Sequence, residues 1–320
     1  MGKDLYENSE AAKKLLNQVV SIKGLKHLRD VIFAGPEELL TRTDNVQPAI
    51  TTVSTMALVA VLEAADKAGR AIKPIACAGH SLGEYAAHVA AGNLTPIQAI
   101  KLTAARGAWM NEASQPPYPK GAMIAVMGLA MEKLEEIVAG LDALSISIAN
   151  INSPGQIILS GEATAIAQAS EAASAAGAKR VIPLNVSGAW HSPLMKGAQE
   201  KMEVLLSAEI TPEKVTMNLG IPVIANATSA VVSSIDLMKE TLGRQITSPV
   251  VWTECVSNLL TSCGYPGLPS ENNDFDKPWP IFVEVGPGKV LRGLLRSIDK
   301  GLESTGVEDT ATLNALLAME

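Results

Sequence analysis

With 320 residues, 47% of them hydrophobic and 18% charged, the chain can bury a sizeable core, which excludes wholesale disorder. A formal net charge of −7 leaves no basic footprint for nucleic acid. Cys77, Cys255 and Cys263 show no CxxC spacing, and the histidines His27, His80, His88 and His191 are scattered, so no disulfide framework and no metal are expected. No apolar run of membrane-spanning length and no signal-peptide pattern is read, so the expectation is a cytoplasmic protein with no membrane.

Helical patterns alternate with short apolar runs, the signature of an α/β sheet covered by helices. Gln47–Ala68 reads as a helix opened by Gln47-Pro48 and closing near Gly69. Lys73–Ala78 reads as a short buried strand, followed at once by a helix that Gly92 stops. Thr95-Pro96 supplies a cap and a first-turn proline for the next helix, which runs to about Ala113. After the loop SQPPYPKG the pattern changes to strand, helix, two strands, helix and strand, between about 121 and 187. That is the βαββαβ order of a ferredoxin-like unit. The expected organisation is a large α/β domain over 1–117 and 188–320, with the ferredoxin-like subdomain inserted at 118–187. Helices near 192–207 and 234–245 and a strand at 281–285 complete the large domain. The stretch 262–280, rich in proline, glycine and asparagine, is a long loop with no assignable role.

Gly79-His80-Ser81-Leu82-Gly83 fits G-x-S-x-G, in which a serine sits on a sharp strand-to-helix turn. The turn strains the serine backbone, and the flanking glycines are expected to let it close. The hydroxyl then projects at a helix N-terminus, where unpaired N–H groups favour a developing oxyanion. A nucleophilic serine needs a base. His80 should leave the turn in another direction, His88 lies two turns down the same helix, and His27 sits in a polar early segment. His191 remains, where a strand ends and a helix starts, and strand ends are where α/β sites form. Arg106 is framed by small residues in an apolar helix. It is either a cation aimed into a cleft to pair with a substrate carboxylate or an ordinary solvated arginine, and the sequence leaves both open.

The stretches TDNVQPAI, AGHSLGEYAAHVAAG, the Arg106 helix, NINSPGQIILSG, VSGAWHSPLM, RQITSPVVW and VEVGPGKVL together resemble the malonyl-CoA:acyl carrier protein transacylase family, in the family's order and over nearly the whole chain. The resemblance implies a hydrolase-like parallel sheet domain, helices on both faces, joined to the ferredoxin-like subdomain with the active site between them. It implies that Ser81 is the acylated nucleophile and His191 its general base. Gln245 matches the position whose backbone carbonyl orients the histidine, and the Leu82 N–H matches one oxyanion donor. Arg106 matches the arginine that binds the malonate carboxylate, while Gln47, Asn150 and Asn152 match positions that line or support the cleft. A large aromatic at Trp190 resembles the malonyl-type pattern and should crowd an α-methyl branch.

The implied reaction is ping-pong transfer of malonyl from malonyl-CoA to the phosphopantetheine thiol of acyl carrier protein, in fatty-acid biosynthesis. Malonyl-CoA and the carrier protein are then the partners, the enzyme is a monomer, and no cofactor is needed beyond the pantetheine on the partner. Lys196, Lys289, Arg292 and Arg296 form a candidate docking rim for an acidic carrier. Two departures stand against the family pattern. The family opens with a short strand and a G-Q-G-S-Q loop that supplies a second oxyanion donor. This chain begins at Met1-Gly2-Lys3, matching the segment just after that loop, so a truncated reading frame is expected. The 262–280 loop looks like an insertion. The rival readings are a serine acyl hydrolase or thioesterase, which would not need Arg106, and a weakened paralogue that binds acyl-CoA or carrier protein.

Overall fold

The computed structural model describes residues 1–142, 145–272 and 275–319. Its helices and strands form a mixed α/β fold. Five helices come first: α1 (Lys3–Asn8), α2 (Glu10–Ser21), α3 (Leu28–Ala34), α4 (Glu37–Thr41) and α5 (Thr43–Lys67). Next follow α6 (Gly83–Ala90), α7 (Pro96–Ala113), β1 (Gly121–Met127), α8 (Met131–Ala139), β2 (Ile146–Ser153), β3 (Gln156–Glu162), α9 (Ala163–Ala175) and β4 (Arg180–Pro183). The remainder comprises α10 (Lys196–Glu209), α11 (Ile235–Arg244), α12 (Trp252–Ser262), β5 (Phe282–Val285), α13 (Val290–Ile298), β6 (Ser304–Val307) and α14 (Thr310–Leu317).

The stretch from 121 to 183 follows the sequence pattern closely. Its four strands lie in the order β2-β3-β1-β4, and each pairs antiparallel with its neighbour. Alternation decides which side each residue faces. Ile124, Val126, Ile157 and Leu159 pack under α8 and α9 with Leu134, Ile166 and Ala169. Met123, Ala125, Ala149 and Ile158 face the other way and pack with Leu184 and Trp190. Both faces are therefore buried, which is why β1 reads as a continuous apolar run. Full burial of one side chain such as Leu134 stabilises by about 2 kcal/mol. β2 and β3 join through Pro154-Gly155, with Ser153 opposite Gln156.

Three expectations need correction. Helix α5 starts at Thr43, four residues before Gln47, and carries Pro48 inside it. Its first turn is fixed by packing on α7, where a Cβ at Gly107 would fall 2.6 Å from Thr43 O. Tertiary contact thus overrides the local proline signal. The same helix is long and apolar enough to cross a membrane, with an 18-residue window of mean hydropathy 1.5, which the sequence reading missed. Sixty-seven per cent of that window is buried in the protein, against α7 and α2. Finally, Lys73–Ala78 forms no strand of its own. Only Cys77 pairs, in a parallel bridge to Val223. The other parallel pairing among the described residues outside the four-stranded sheet is β5 with β6, plus the bridge of Asn150 to Val250.

Elsewhere α7 starts where expected, with a complete capping box between Thr95 and Gln98. Of the 262–280 loop, residues 273 and 274 lie outside the described residues. Tyr265, Phe275 and Trp279 cluster there, with ring centroids 5.1 to 5.7 Å apart. Tyr265 and Trp279 pack against the core that includes Leu260 of α12, Leu268 of the loop and Leu295 of α13.

Candidate active site

The chain enters the elbow from the Cys77 bridge and turns at Ser81, whose φ of 49° is left-handed. Such a conformation disfavours any residue with a Cβ and persists only where its surroundings hold it. Gly79 is required by space, since a Cβ there would lie 2.0 Å from Gly83 O. A Cβ on Gly83 itself would meet nothing within 4 Å, so that glycine is not a steric necessity. Leu82 occupies the N-cap of α6, with φ −51° and ψ −36°. Its N–H thus belongs to the unpaired donors at the helix start.

His191 is brought to the serine across 110 residues. The Ser81 hydroxyl lies 2.7 Å from His191 Nε2. On the far side of the ring, Nδ1 lies 2.9 Å from Gln245 O and 3.1 Å from Ser248 O. Both carbonyls only accept, so Nδ1 carries the ring proton and Nε2 is left to accept from Ser81. His191 also has a left-handed backbone, φ 58°. Its carbonyl accepts from Ser147 Oγ of β2 at 3.2 Å. Burial first, and then the Arg106 charge, push its pKa down to about 3, so the imidazole is neutral across the physiological range.

Arg106 is 2% exposed, which removes the solvated-arginine alternative. Its Nη1 donates to Gln47 Oε1 at 2.7 Å. Its Nη2 donates to Gln245 Oε1 at 3.0 Å and to Ser81 Oγ at 3.2 Å. Nε has no partner among the described residues. A buried cation costs free energy unless paired. Burial accordingly pulls the Arg106 pKa below its ordinary value, opposed by Tyr85 and Glu84. Gln47 is itself oriented by donating to Thr43 Oγ1 at 3.0 Å. A desolvated cation held in this way beside a hydroxyl can pair with a carboxylate.

The other histidines are engaged elsewhere. His80 Nε2 lies 2.8 Å from Asn152 Oδ1, and its ring meets Trp252 edge-on at 5.4 Å. His88 Nδ1 lies 3.1 Å from Asn93 Nδ2, and His27 Nε2 lies 2.9 Å from Asn45 Oδ1. Asn152 therefore supports the residue next to the nucleophile. Asn150 is buried and aligned with Val250 at the edge of β2, away from any direct bond to Ser81 or His191. The Trp190 ring lies over Gly188, where a Cβ would fall 2.4 Å from Cη2. It joins the core under α7 to the second face of the four-stranded sheet. Of the docking rim, Lys196, Lys289 and Arg296 are exposed, but Arg292 is spent on Glu284, Nε to Oε2 at 3.1 Å.

Two residues at the site escaped the sequence reading. Glu84 is 0% exposed, and its Oε2 accepts from Asn226 N–H at 3.0 Å and from Gln245 Nε2 at 2.5 Å. Burial pushes its pKa up to about 7, opposed by those two bonds and by Arg106. Its place in the first turn of α6, after the nucleophile, was a usable signal, because a carboxylate there faces the helix dipole. Asn226 sits in no motif, and nothing in its local sequence marks it.

Comparison with known proteins gives one family-level match, to the model described as an acyl transferase domain, over residues 1–266. The malonyl CoA-acyl carrier protein transacylase of Bacillus subtilis is 40% identical over 98% of this chain and 90% of its own length. That of Staphylococcus aureus strain MRSA252 is 33% identical, over 96% of this chain and 91% of its own. Among solved structures, a malonyl-transacylase in complex with its type II polyketide acyl-carrier protein matches with TM-score 0.84 and 34% identity, over 99% and 94% of the two chains. The enzyme from Streptococcus pneumoniae matches with TM-score 0.82 and 34% identity, over the same shares.

Proposed function

The chain belongs to the malonyl-CoA:acyl carrier protein transacylase family, and from that premise we propose that it moves malonyl from coenzyme A to a carrier-protein thiol through Ser81. The observation that carries this is the buried Arg106, whose Nη2 stands 3.2 Å from the Ser81 hydroxyl. A hydrolase of plain acyl groups has no use for a desolvated cation beside its nucleophile.

In the first half-reaction the Ser81 oxygen attacks the malonyl thioester carbonyl while its proton passes to His191 Nε2. The Leu82 N–H receives the oxyanion. The C–S bond then breaks, and coenzyme A leaves with the proton from His191. In the second half-reaction the phosphopantetheine thiol gives its proton to the same nitrogen, attacks the malonyl-serine and carries the acyl group away, with the proton returning to Ser81. This is ping-pong chemistry with one base serving both halves. The Gln245 carbonyl replaces the third member of a triad by holding Nδ1–H. Arg106 pairs with the free carboxylate of malonate, Gln47 sets its Nη1, and Asn150 and Asn152 support the cleft wall. Trp190 narrows the space beside the acyl group and favours malonyl over methylmalonyl. The enzyme needs no cofactor of its own, since the pantetheine arrives on the partner, and it works as a cytoplasmic monomer.

The same reading extends to the fold. The strand order β2-β3-β1-β4 with α8 and α9 on one face supports a ferredoxin-like subdomain over 118–187. The large domain over 1–117 and 188–320 is then of hydrolase-like type, with Ser81 at the turn between the Cys77 bridge and α6.

The test is intact mass spectrometry after brief exposure to malonyl-CoA, with Ser81→Ala and an acetyl-CoA sample alongside. One malonyl adduct is expected on the wild type and none on the variant or with acetyl-CoA. An adduct that persists in Ser81→Ala would overturn the assignment.

A further inference from the structure

Residues 222–226 run beside the segment that enters the elbow, and their pairing begins as an ordinary parallel ladder. Cys77 N–H donates to Pro222 O at 2.8 Å, and Ile224 N–H donates to Cys77 O at 3.1 Å. The next rung is made by a side chain. Asn226 Nδ2 donates to Gly79 O at 2.7 Å, and Asn226 Oδ1 accepts from Ser81 N–H at 2.5 Å. The partners fix which end of the amide is which, because Gly79 O only accepts and Ser81 N–H only donates. One primary amide thus takes the place of a strand, gripping the main chain on both sides of His80. Asn226 is 0% exposed, and its own main chain is anchored twice, N–H to Glu84 Oε2 at 3.0 Å and carbonyl to Val251 N–H at 3.1 Å.

We infer that Asn226 is a positioning residue for the acylation of Ser81, an inference that rests on the nucleophile assigned above. The left-handed serine has no intrinsic preference for its conformation, and the Asn226 amide is the polar contact that holds its N–H in place. Two consequences follow for the chemistry. The Ser81 N–H is committed to Asn226, so the elbow has only the next N–H, that of Leu82, to offer the oxyanion. The grip is also tied to the base. Glu84 Oε2 accepts from both Asn226 N–H and Gln245 Nε2, and Gln245 O holds His191 Nδ1 at 2.9 Å. Asn226, Glu84 and Gln245 form one buried path from the nucleophile to its base, so a slip at the elbow changes the 2.7 Å separation of Ser81 Oγ and His191 Nε2. A displacement of about 1 Å costs on the order of 10²-fold in rate.

Rapid-quench measurement of malonyl-serine formation against malonyl-CoA concentration tests this, on wild type, Asn226→Ala and Asn226→Asp, with thermal unfolding of each. Asn226→Ala is expected to acylate about 10²-fold more slowly per folded molecule. Half-saturation by malonyl-CoA should stay within about threefold, because no substrate contact is removed. Asn226→Asp keeps the acceptor for Ser81 N–H but sets an oxygen against Gly79 O, and should lie between the two. A purely structural role would lower the folded fraction and leave the rate per folded molecule unchanged, and that result would overturn the inference. If Asn226→Ala does not fold, a wild-type rate in Asn226→Asp overturns it equally. Absence of malonyl-serine in the wild type would remove the Ser81 assignment itself and this inference with it, whereas acylation of wild type and variants alike removes this inference alone.

Discussion

In the four-stranded sheet each strand is held to the next by main-chain ladders between nearby stretches of sequence, from β1 at residue 121 to β4 at 183. At the site, Ser81, Arg106, His191, Asn226 and Gln245 arrive from five separate segments and are held by a few hydrogen bonds that each involve a side chain. The sheet distributes its stability over many repeated bonds and buried faces, so one loss is shared. The site concentrates its geometry in a few irreplaceable atoms. A substitution in the first region is therefore read in stability, and one in the second is read in rate.

The largest effect of that kind is expected for Arg106→Ala. The carboxylate loses a desolvated, charged partner, and kcat/KM for malonyl-CoA should fall by about 10³-fold, equivalent to about 4 kcal/mol. The preference for malonyl-CoA over acetyl-CoA should collapse with it in a carrier-protein transfer assay. A variant that keeps the preference would show that the guanidinium is structural.

On the sheet side, Gly161→Ala places a Cβ 2.1 Å from Ser145 O. The strain should cost about 2–3 kcal/mol and lower Tm by about 5 °C, with turnover per folded molecule unchanged. Calorimetry and steady-state kinetics on one preparation check both halves. A rate loss without a Tm change would reverse the division drawn between the two regions.

The smallest effect concerns pH. His191 accepts a proton only in its neutral form, and its pKa of about 3 keeps that form present down to strongly acid solution. Glu84, raised to about 7, is the group at the site that gains a proton as pH falls through neutrality. In Glu84→Gln, kcat/KM should accordingly stay within about twofold from pH 8 to pH 5. A limb near 6.5 in that variant would put His191 at its ordinary value.

The two regions also differ in how far the sequence discloses them. Alternation and helical period mark every element from β1 to β4, because there the local pattern and the final partners coincide. Thr95-Pro96 marks the start of α7 for the same reason. By contrast, Lys73–Ala78 reads as a strand from its apolar run, yet its pairing depends on what lies beside it, and only Cys77 finds a partner. Pro48 misplaces the start of α5, since the contact at Gly107 lies 64 residues after Thr43. Ser81 and His191 stand out because their chemistry is scarce in the surrounding sequence, whereas for Arg106 the sequence leaves a cleft cation and a solvated arginine both open until its burial is seen. Asn226 is not, because an asparagine in a loop is ordinary until Gly79 and Ser81 are seen against it.

His191 takes its orientation from the main chain, the carbonyls of Gln245 and Ser248. A main-chain carbonyl is present whatever codon stands at the position, so mutation cannot delete it as it can delete an aspartate. Drift at residue 245 would then act on Arg106 and Glu84 through the lost amide while the hold on the base remained. Under the proposed roles, a side-chain change at residue 245 reaches the contact with Arg106 directly and leaves the main-chain acceptor of the base in place.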